Sequence, residues 1–310
     1  MKNPQEIRLI GVASGLGAQD PGCGKGPWAL KHTPLGHQVE ERAEWLDLLY
    51  PHDVPDRWAA IGELAGRLAK AVADTLAARE FPVVIGGDHS CAVGTWSGAA
   101  NALGDGERLG LIWIDAHMDS HRPETSLSHA IHGMPLAVLL GQGKRELLAL
   151  ADHGPVLRPE NLCLIAVRSY EEAEAEFLDR LGVRVITIAE VRERGIAAAL
   201  AEARAIAGRG TRAFGISLDL DAIDPSEAPG IGSPEPAGLA AAPLLGALQP
   251  LLADPALMAL EIAEFNPEKD RAQRTRHLVL AVLEHLVTAR EGLDSAQLAH
   301  HVLGSRLVGQ

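Results

Sequence analysis

Seven short, nearly unbroken apolar runs recur along this chain: Ile7–Val12, Pro82–Ile85, Leu109–Ile114, Leu162–Val167, Val183–Ile188, Ala213–Leu218 and Ala259–Ile262. A strand with one wet face alternates apolar and polar residues, whereas a strand buried on both faces does not. Between the runs lie helical stretches. Ile61, Leu64, Leu68 and Val72 repeat at helical spacing, with Glu63, Arg67, Lys70 and Asp74 on the opposite face. The stretches from Ile196 to Ile206 and from about Arg271 to Arg290 read the same way. This alternation predicts an α/β fold: a doubly wound, mostly parallel sheet with helices on both faces, a three-layer sandwich. No repeat, linker or compositional shift marks a boundary, so residues 1–310 read as a single domain.

Charge narrows the partners. The net charge of -13, with no Lys/Arg run, argues against a nucleic-acid surface and an anionic membrane, and is compatible with a cationic ligand. Glu6 and Arg8 interrupt the N-terminal apolar run, so no signal peptide is expected. The most apolar later stretch, around Leu244 to Leu260, is broken by Gln249, Pro250, Asp254 and Pro255, so no membrane span is expected and the protein reads as cytoplasmic. Cys23, Cys91 and Cys163 are too few and too scattered for a disulfide framework or a zinc knuckle, and Cys91 reads as a packing residue.

In open parallel sheets, ligands bind beyond the carboxyl ends of the strands. There the run ending at Ile114 continues into Asp115, His117 and Asp119, spaced so that in extended backbone all three share one face. Asp219 and Asp221 share a face after the run ending at Leu218, while Asp224-Pro225 reads as a turn. Gly86-Gly87-Asp88-His89 follows a third run: the glycines admit close backbone approach to a ligand, His89 extends into the crevice, and Asp88 reads as a helix cap. Crowded carboxylates repel one another without a cation. The four aspartates carry four negative charges, which two divalent ions cancel. A hydroxide shared between the ions leaves the centre slightly negative, suited to a cationic substrate. Oxygen-rich ligation with two imidazoles favours Mn²⁺ over zinc. A metal-shared water ionises near neutral pH, which makes this a binuclear hydrolase.

In order and spacing, Gly86-Gly87-Asp88-His89-Ser90, Asp115-Ala116-His117-Met118-Asp119 and Ser217-Leu218-Asp219-Leu220-Asp221-Ala222-Ile223-Asp224-Pro225 resemble the three signatures of the arginase (ureohydrolase) superfamily. Gly22-Cys23-Gly24-Lys25-Gly26-Pro27 is similar to that family's opening loop, and Glu261-Ile262-Ala263-Glu264-Phe265-Asn266-Pro267 to its closing motif. The resemblance implies that His89, Asp115, Asp119 and Asp219 hold one Mn²⁺, and Asp115, His117, Asp219 and Asp221 the other, with Ni²⁺ or Co²⁺ as substitutes. It implies that Asp119 orients the bridging hydroxide and passes its proton on, that Glu264 takes the guanidinium, and that His132 shuttles protons. It also implies a homo-oligomer, trimer or hexamer.

Ser128 and His132-Gly133-Met134-Pro135 resemble bacterial arginases, which convert L-arginine to urea and L-ornithine. Glu171 falls where those enzymes place an Asp that meets the α-amino group. Two departures stand out: His121 and Ala130 occupy positions where arginases carry Asn to hold the α-carboxylate. His121 retains a donor and Ala130 has none. The alternative substrates are therefore other guanidines, such as 4-guanidinobutyrate, agmatine or a smaller one; a non-catalytic metal-binding relative is a further reading. A zinc deacetylase would not be expected to keep His89 and Asp119. The glycines after the first run lack the helix that a dinucleotide-binding loop requires.

Overall fold

A computed structural model describes residues 5–152, 154–291 and 293. Eight strands form one sheet: β1 (Ile7–Val12), β2 (Ala43–Leu49), β3 (Phe81–Ile85), β4 (Leu109–Ile114), β5 (Leu157–Val167), β6 (Arg184–Thr187), β7 (Ala213–Asp219) and β8 (Leu257–Ala263). Their spatial order is β2-β1-β3-β8-β7-β4-β5-β6, with every pairing parallel. All seven apolar runs become strands. β2 is the one the pattern missed, because it is an edge strand with Glu44, Leu46 and Asp47 exposed and so lacks a continuous apolar run.

Neighbouring residues on one strand feed different cores. Ile112 and Ile114 of β4 join the apolar cluster on one face, while Leu111 and Trp113 join that on the other. The first face is covered by α4 (Ile196–Ala207), α5 (Ala241–Leu252) and α6 (Arg274–Arg290); the second by α1 (Arg57–Ala77), α2 (Ala92–Leu103) and α3 (Glu172–Leu181). This is the expected doubly wound, three-layer arrangement. α6 begins three residues later than its periodicity suggests. Ala272 and Gln273 adopt left-handed backbone (φ 53° and 58°), which brings the Asp270 carboxylate to the Thr275 and Arg276 N–H groups at 2.9 and 3.0 Å. The helical C-terminal stretch expected at 295–303 lies outside the described residues. Among the described residues, no helix is long and apolar enough to cross a membrane.

One close approach fixes how α2 lies on the sheet. Gly215 of β7 faces the fully buried Trp96 of α2, and a Cβ at that position would overlap the indole ring. Gly215→Ala should therefore lower stability by about 1–3 kcal/mol, the usual cost of overpacking a tight core. Urea unfolding followed by tryptophan fluorescence measures this; an unchanged midpoint would mean that the indole has room to move.

Candidate metal centre

The strands β3, β8, β7 and β4 are adjacent at the middle of the sheet, and their carboxyl ends carry His89, Glu264, Asp219 and Asp115, none more than four residues past the strand terminus. His89 opens a short 3₁₀ turn. Asp88 caps that turn, accepting from Ser90 N–H at 3.0 Å and from Gly17 N–H at 2.9 Å, as its sequence position suggests. The paired glycines serve packing rather than ligand approach: a Cβ on Gly87 would overlap the Ser14 backbone, and one on Gly86 would overlap the Cys91 sulfur.

His89 Nδ1 points at three carboxylate oxygens, lying 2.9 Å from Asp219 Oδ2, 3.1 Å from Asp119 Oδ2 and 3.3 Å from Asp115 Oδ2. His117 Nδ1 lies 3.0 Å from Asp221 Oδ2 and 3.5 Å from Asp115 Oδ1. Asp115 thus turns one oxygen to each imidazole, and two triads of potential ligands, His89–Asp115–Asp219 and Asp115–His117–Asp221, share it. Asp219 is less evenly shared. Its Oδ1 accepts from the Asp221 N–H at 2.9 Å while Oδ2 faces His89.

The shared-face argument for these residues needs correction. β4 ends at Ile114, Asp119 itself adopts left-handed backbone (φ 46°), and Asp221 lies in a 3₁₀ turn rather than on extended chain. The groups converge because the chain bends after the strand, not because it stays straight. Trp113, which the sequence reading passed over, donates from Nε1 to Asp115 Oδ2 at 2.8 Å and stacks on His89 with ring centroids 4.2 Å apart. Its position two residues before Asp115 was the available signal.

The electrostatics are those of a cation site. Burial pushes Asp119 up to about 7, reinforced by the neighbouring Asp115 charge. Burial likewise raises Asp219 well above the carboxylate range, helped by Asp221 and Asp115, and it raises Asp221. Burial opposes charge on both imidazoles, yet the surrounding carboxylates hold His89 and His117 well above their ordinary range. The buried His89 Nδ1 has no hydrogen-bond partner, as expected of a donor atom shaped for a metal ion, and the oxygen-rich donor set suits hard divalent cations.

A cavity opens above the cluster, lined among others by Asp119, His121, Ser128, His132, Glu171 and Asp221, with no Lys or Arg in its wall. His132 Nδ1 lies 2.9 Å from Glu264 Oε1, which also accepts from the His89 N–H at 2.9 Å. Burial works against the His132 cation, but the Glu264 charge and hydrogen bond push it up to about 9, and His132 in turn lowers Glu264 against the effect of burial. Glu264 is buried behind His132 rather than in the cavity wall, and its Oε2 has no hydrogen-bond partner. At the mouth, His121 Nε2 is paired with Glu171 and faces Glu174 Oε2 at 3.3 Å, while Nδ1 meets Thr125 Oγ1 at 3.1 Å. Ser128 Oγ accepts from the Ala130 N–H at 3.2 Å. Glu174, one helical turn after Glu171 and buried, was the mouth residue that sequence reasoning missed; it accepts from Ser120 N–H at 3.1 Å.

Comparison with known proteins agrees with this geometry. The model of the family described as "Arginase family" matches residues 5–288. The arginase of Bacillus caldovelox is 36% identical over 297 residues, covering 90% of this chain and 97% of that protein. The arginase of Brevibacillus brevis is 33% identical, covering 90% and 96%. Among solved structures, the Bacillus caldovelox arginase superimposes with a TM-score of 0.85 at 34% identity, covering 93% of this chain and 98% of that one.

Titration of the chelated protein with a divalent cation should register two ions per chain and release protons. Asp119 holds a proton below its raised pKa of about 7, and an arriving ion must displace it. Affinity should therefore weaken as the pH falls through about 7, and because His89, His117 and Asp219 hold protons too, it should go on strengthening above that pH. Calorimetry in buffers of different ionisation enthalpy reads both effects; proton-neutral binding independent of pH would contradict this account.

Proposed function

This chain belongs to the arginase family, and on that premise we propose that it hydrolyses L-arginine to urea and L-ornithine with two Mn²⁺ ions per chain. The observation that carries the reading is the pair of His–carboxylate triads sharing Asp115 at the base of a cavity whose wall has no cationic side chain except imidazole. His89, Asp115, Asp119 and Asp219 would hold one ion, and Asp115, His117, Asp219 and Asp221 the other. Ni²⁺ or Co²⁺ would substitute. Two ions held by these residues would lower the pKa of bound water to ~7 and so supply hydroxide at neutral pH.

The residues of the chain do the rest. Among the described residues, Glu264 Oε2 is the one buried carboxylate oxygen left without a partner, an acceptor suited to the planar, permanently charged guanidinium once His132 gives way. Addition of water at the guanidino carbon makes it tetrahedral, and the departing nitrogen must gain a proton before the C–N bond breaks. Asp119 takes the proton given up by the attacking water and passes it to the leaving nitrogen. His132 keeps Nδ1 on Glu264, which leaves Nε2 to exchange protons with the cavity. At the mouth, Glu171 would meet the α-ammonium, with Ser128 and His121 towards the α-carboxylate.

A second reading has its own support. His121 Nε2 is already committed to Glu171 and Glu174, and Ala130 adds no side-chain donor, so the mouth is poor in groups for a carboxylate. A guanidine without a carboxylate, such as agmatine or a smaller guanidine, would escape that shortage; 4-guanidinobutyrate would lose only the amino group. We further propose that residues 1–310 act as one domain, supported by the continuous eight-stranded sheet. A homo-oligomer of three or six chains accords with the family. A cytoplasmic location accords with three free, buried cysteines.

Urea release by the Mn²⁺-loaded protein, assayed in parallel on L-arginine, agmatine, 4-guanidinobutyrate and guanidine, tests the substrate. Arginine should be preferred; turnover of another guanidine with arginine inert would keep the chemistry and reject the substrate. Glu264→Gln preserves shape and removes charge, so kcat/KM should fall by ~10²–10³-fold, the scale of losing one preorganised electrostatic contact. Both ions should still bind this variant, because Glu264 is not among the proposed ligands.

A further inference from the structure

Glu261 sits in the middle of β8, with no solvent exposure, between Leu260 and Ile262. A carboxylate in a strand buried on both faces is costly unless something needs it. Among the described residues, no Lys or Arg pairs with it. Its hydrogen-bond partners are three neutral donors: Ser217 Oγ to Oε1 at 2.8 Å, Cys91 Sγ to Oε2 at 3.5 Å, and Thr95 Oγ1 to Oε2.

Ser217 links this carboxylate to the metal centre. Its Oγ is also 2.8 Å from His89 Nε2, while Glu261 Oε1 itself is 3.7 Å from that nitrogen. A hydroxyl has one proton to give. With that proton directed at Glu261, the Ser217 oxygen can only accept from His89, which requires the imidazole proton to be on Nε2. Nδ1 then carries a bare lone pair, and Nδ1 is the atom aimed at Asp115, Asp119 and Asp219. Were Glu261 unable to accept, Ser217 could turn its proton towards Nε2. The neutral imidazole would then carry its hydrogen on Nδ1, facing the ion.

We propose that Glu261 is a positioning residue of the metal centre: acting through Ser217, it selects the His89 tautomer that can ligate a cation and makes the ring a stronger donor. This inference rests on the reading of His89 as a metal ligand. Glu261 touches neither the substrate nor the ion. Trp113, stacked on the ring face, restrains its tilt, whereas the Glu261–Ser217 pair decides which nitrogen is free.

The test is Mn²⁺ affinity, measured by chelator competition on the full-length protein, for E261Q, S217A, the double variant and T95A. E261Q and S217A should each weaken one of the two ions by about 10–100-fold, the usual effect of losing the group behind a ligating histidine, and leave the other ion unchanged. The double variant should lose no more than the worse single variant, because the two groups act in series. T95A, which touches the other carboxylate oxygen, should bind both ions like the parent. The thermal midpoint of metal-free E261Q should match that of the parent, with only the metal-induced rise reduced. A lowered metal-free midpoint with both affinities intact would assign Glu261 a purely structural role and overturn the proposal. If E261Q does not fold, S217A decides the matter alone, since it leaves Glu261 and its other two donors in place. Failure of the parent protein to bind two ions would instead reject the metal centre itself.

Discussion

Everything at the active end of this molecule follows from the mutual repulsion of Asp115, Asp119, Asp219 and Asp221, held together out of water. Two imidazoles among them offset at most half of their charge, even with both rings protonated, and both rings are driven towards protonation for that reason. Such a cluster is stable only with protons or metal ions inside it. The surrounding groups resist the tendency of the cluster to relax. Asp115 is held by the Trp113 indole N–H and the His117 backbone N–H, Asp219 and Asp221 by backbone N–H groups, and His89 by Ser217. These contacts fix the carboxylates where the fold places them instead of letting them turn away from one another.

Sheet topology supplies the convergence. The chain visits β3, β4, β7 and β8 far apart in sequence, yet the spatial order sets β3, β8, β7 and β4 side by side. Parallel strands all end on the same edge, so four successive loops meet there with no need for long excursions. The packing that keeps them in register is tight on both faces: Gly215 admits Trp96 on one side, while Phe214 and Ile216 join α4 and α5 on the other. Stability and function are therefore set in the same four strands. That is why a charged residue such as Glu261 in β8 deserves a functional explanation when every neighbour along its strand is apolar.

Seven strands were legible because burial on both faces suppresses alternation, a signal independent of any ligand. β2 was not, since an edge strand with exposed Glu44 and Asp47 does not stand out from amphipathic chain. The six proposed ligands were legible as residue types in sequence clusters, but the reason given for their convergence was wrong in detail. Asp119 and Asp221 point inward from left-handed backbone and a 3₁₀ turn, conformations that spacing alone does not encode. Ser217 and Glu261 were legible only as members of signatures, and Trp113 only as part of an apolar run, because hydrophobicity alone gives none of them a role. A buried acid within such a run was the clue, and its meaning required knowing that Ser217 lies on the neighbouring strand.

The two ends of the cavity obey different logic. The reacting end is built from buried groups on strand termini, held by the sheet and usable on any guanidine. The mouth is built from a loop and the first turn of α3, where Glu171 and Glu174 form a capping box and face His121. On the proposed arginine reading, that His–Glu pair would meet the ammonium and carboxylate of the substrate's tail. An arriving α-ammonium can take Glu171 from His121. The released imidazole, still 3.3 Å from Glu174, would then have to turn its donor from that carboxylate to the α-carboxylate for both ends of the tail to be met. A tail with an amine but no carboxylate would leave the imidazole with Glu174 alone after the same exchange, and a tail with a carboxylate but no amine would find both glutamates in its way. By this argument the mouth favours a substrate bearing both groups, and the imidazole at position 121 can stand in for the missing amide without any further basic residue.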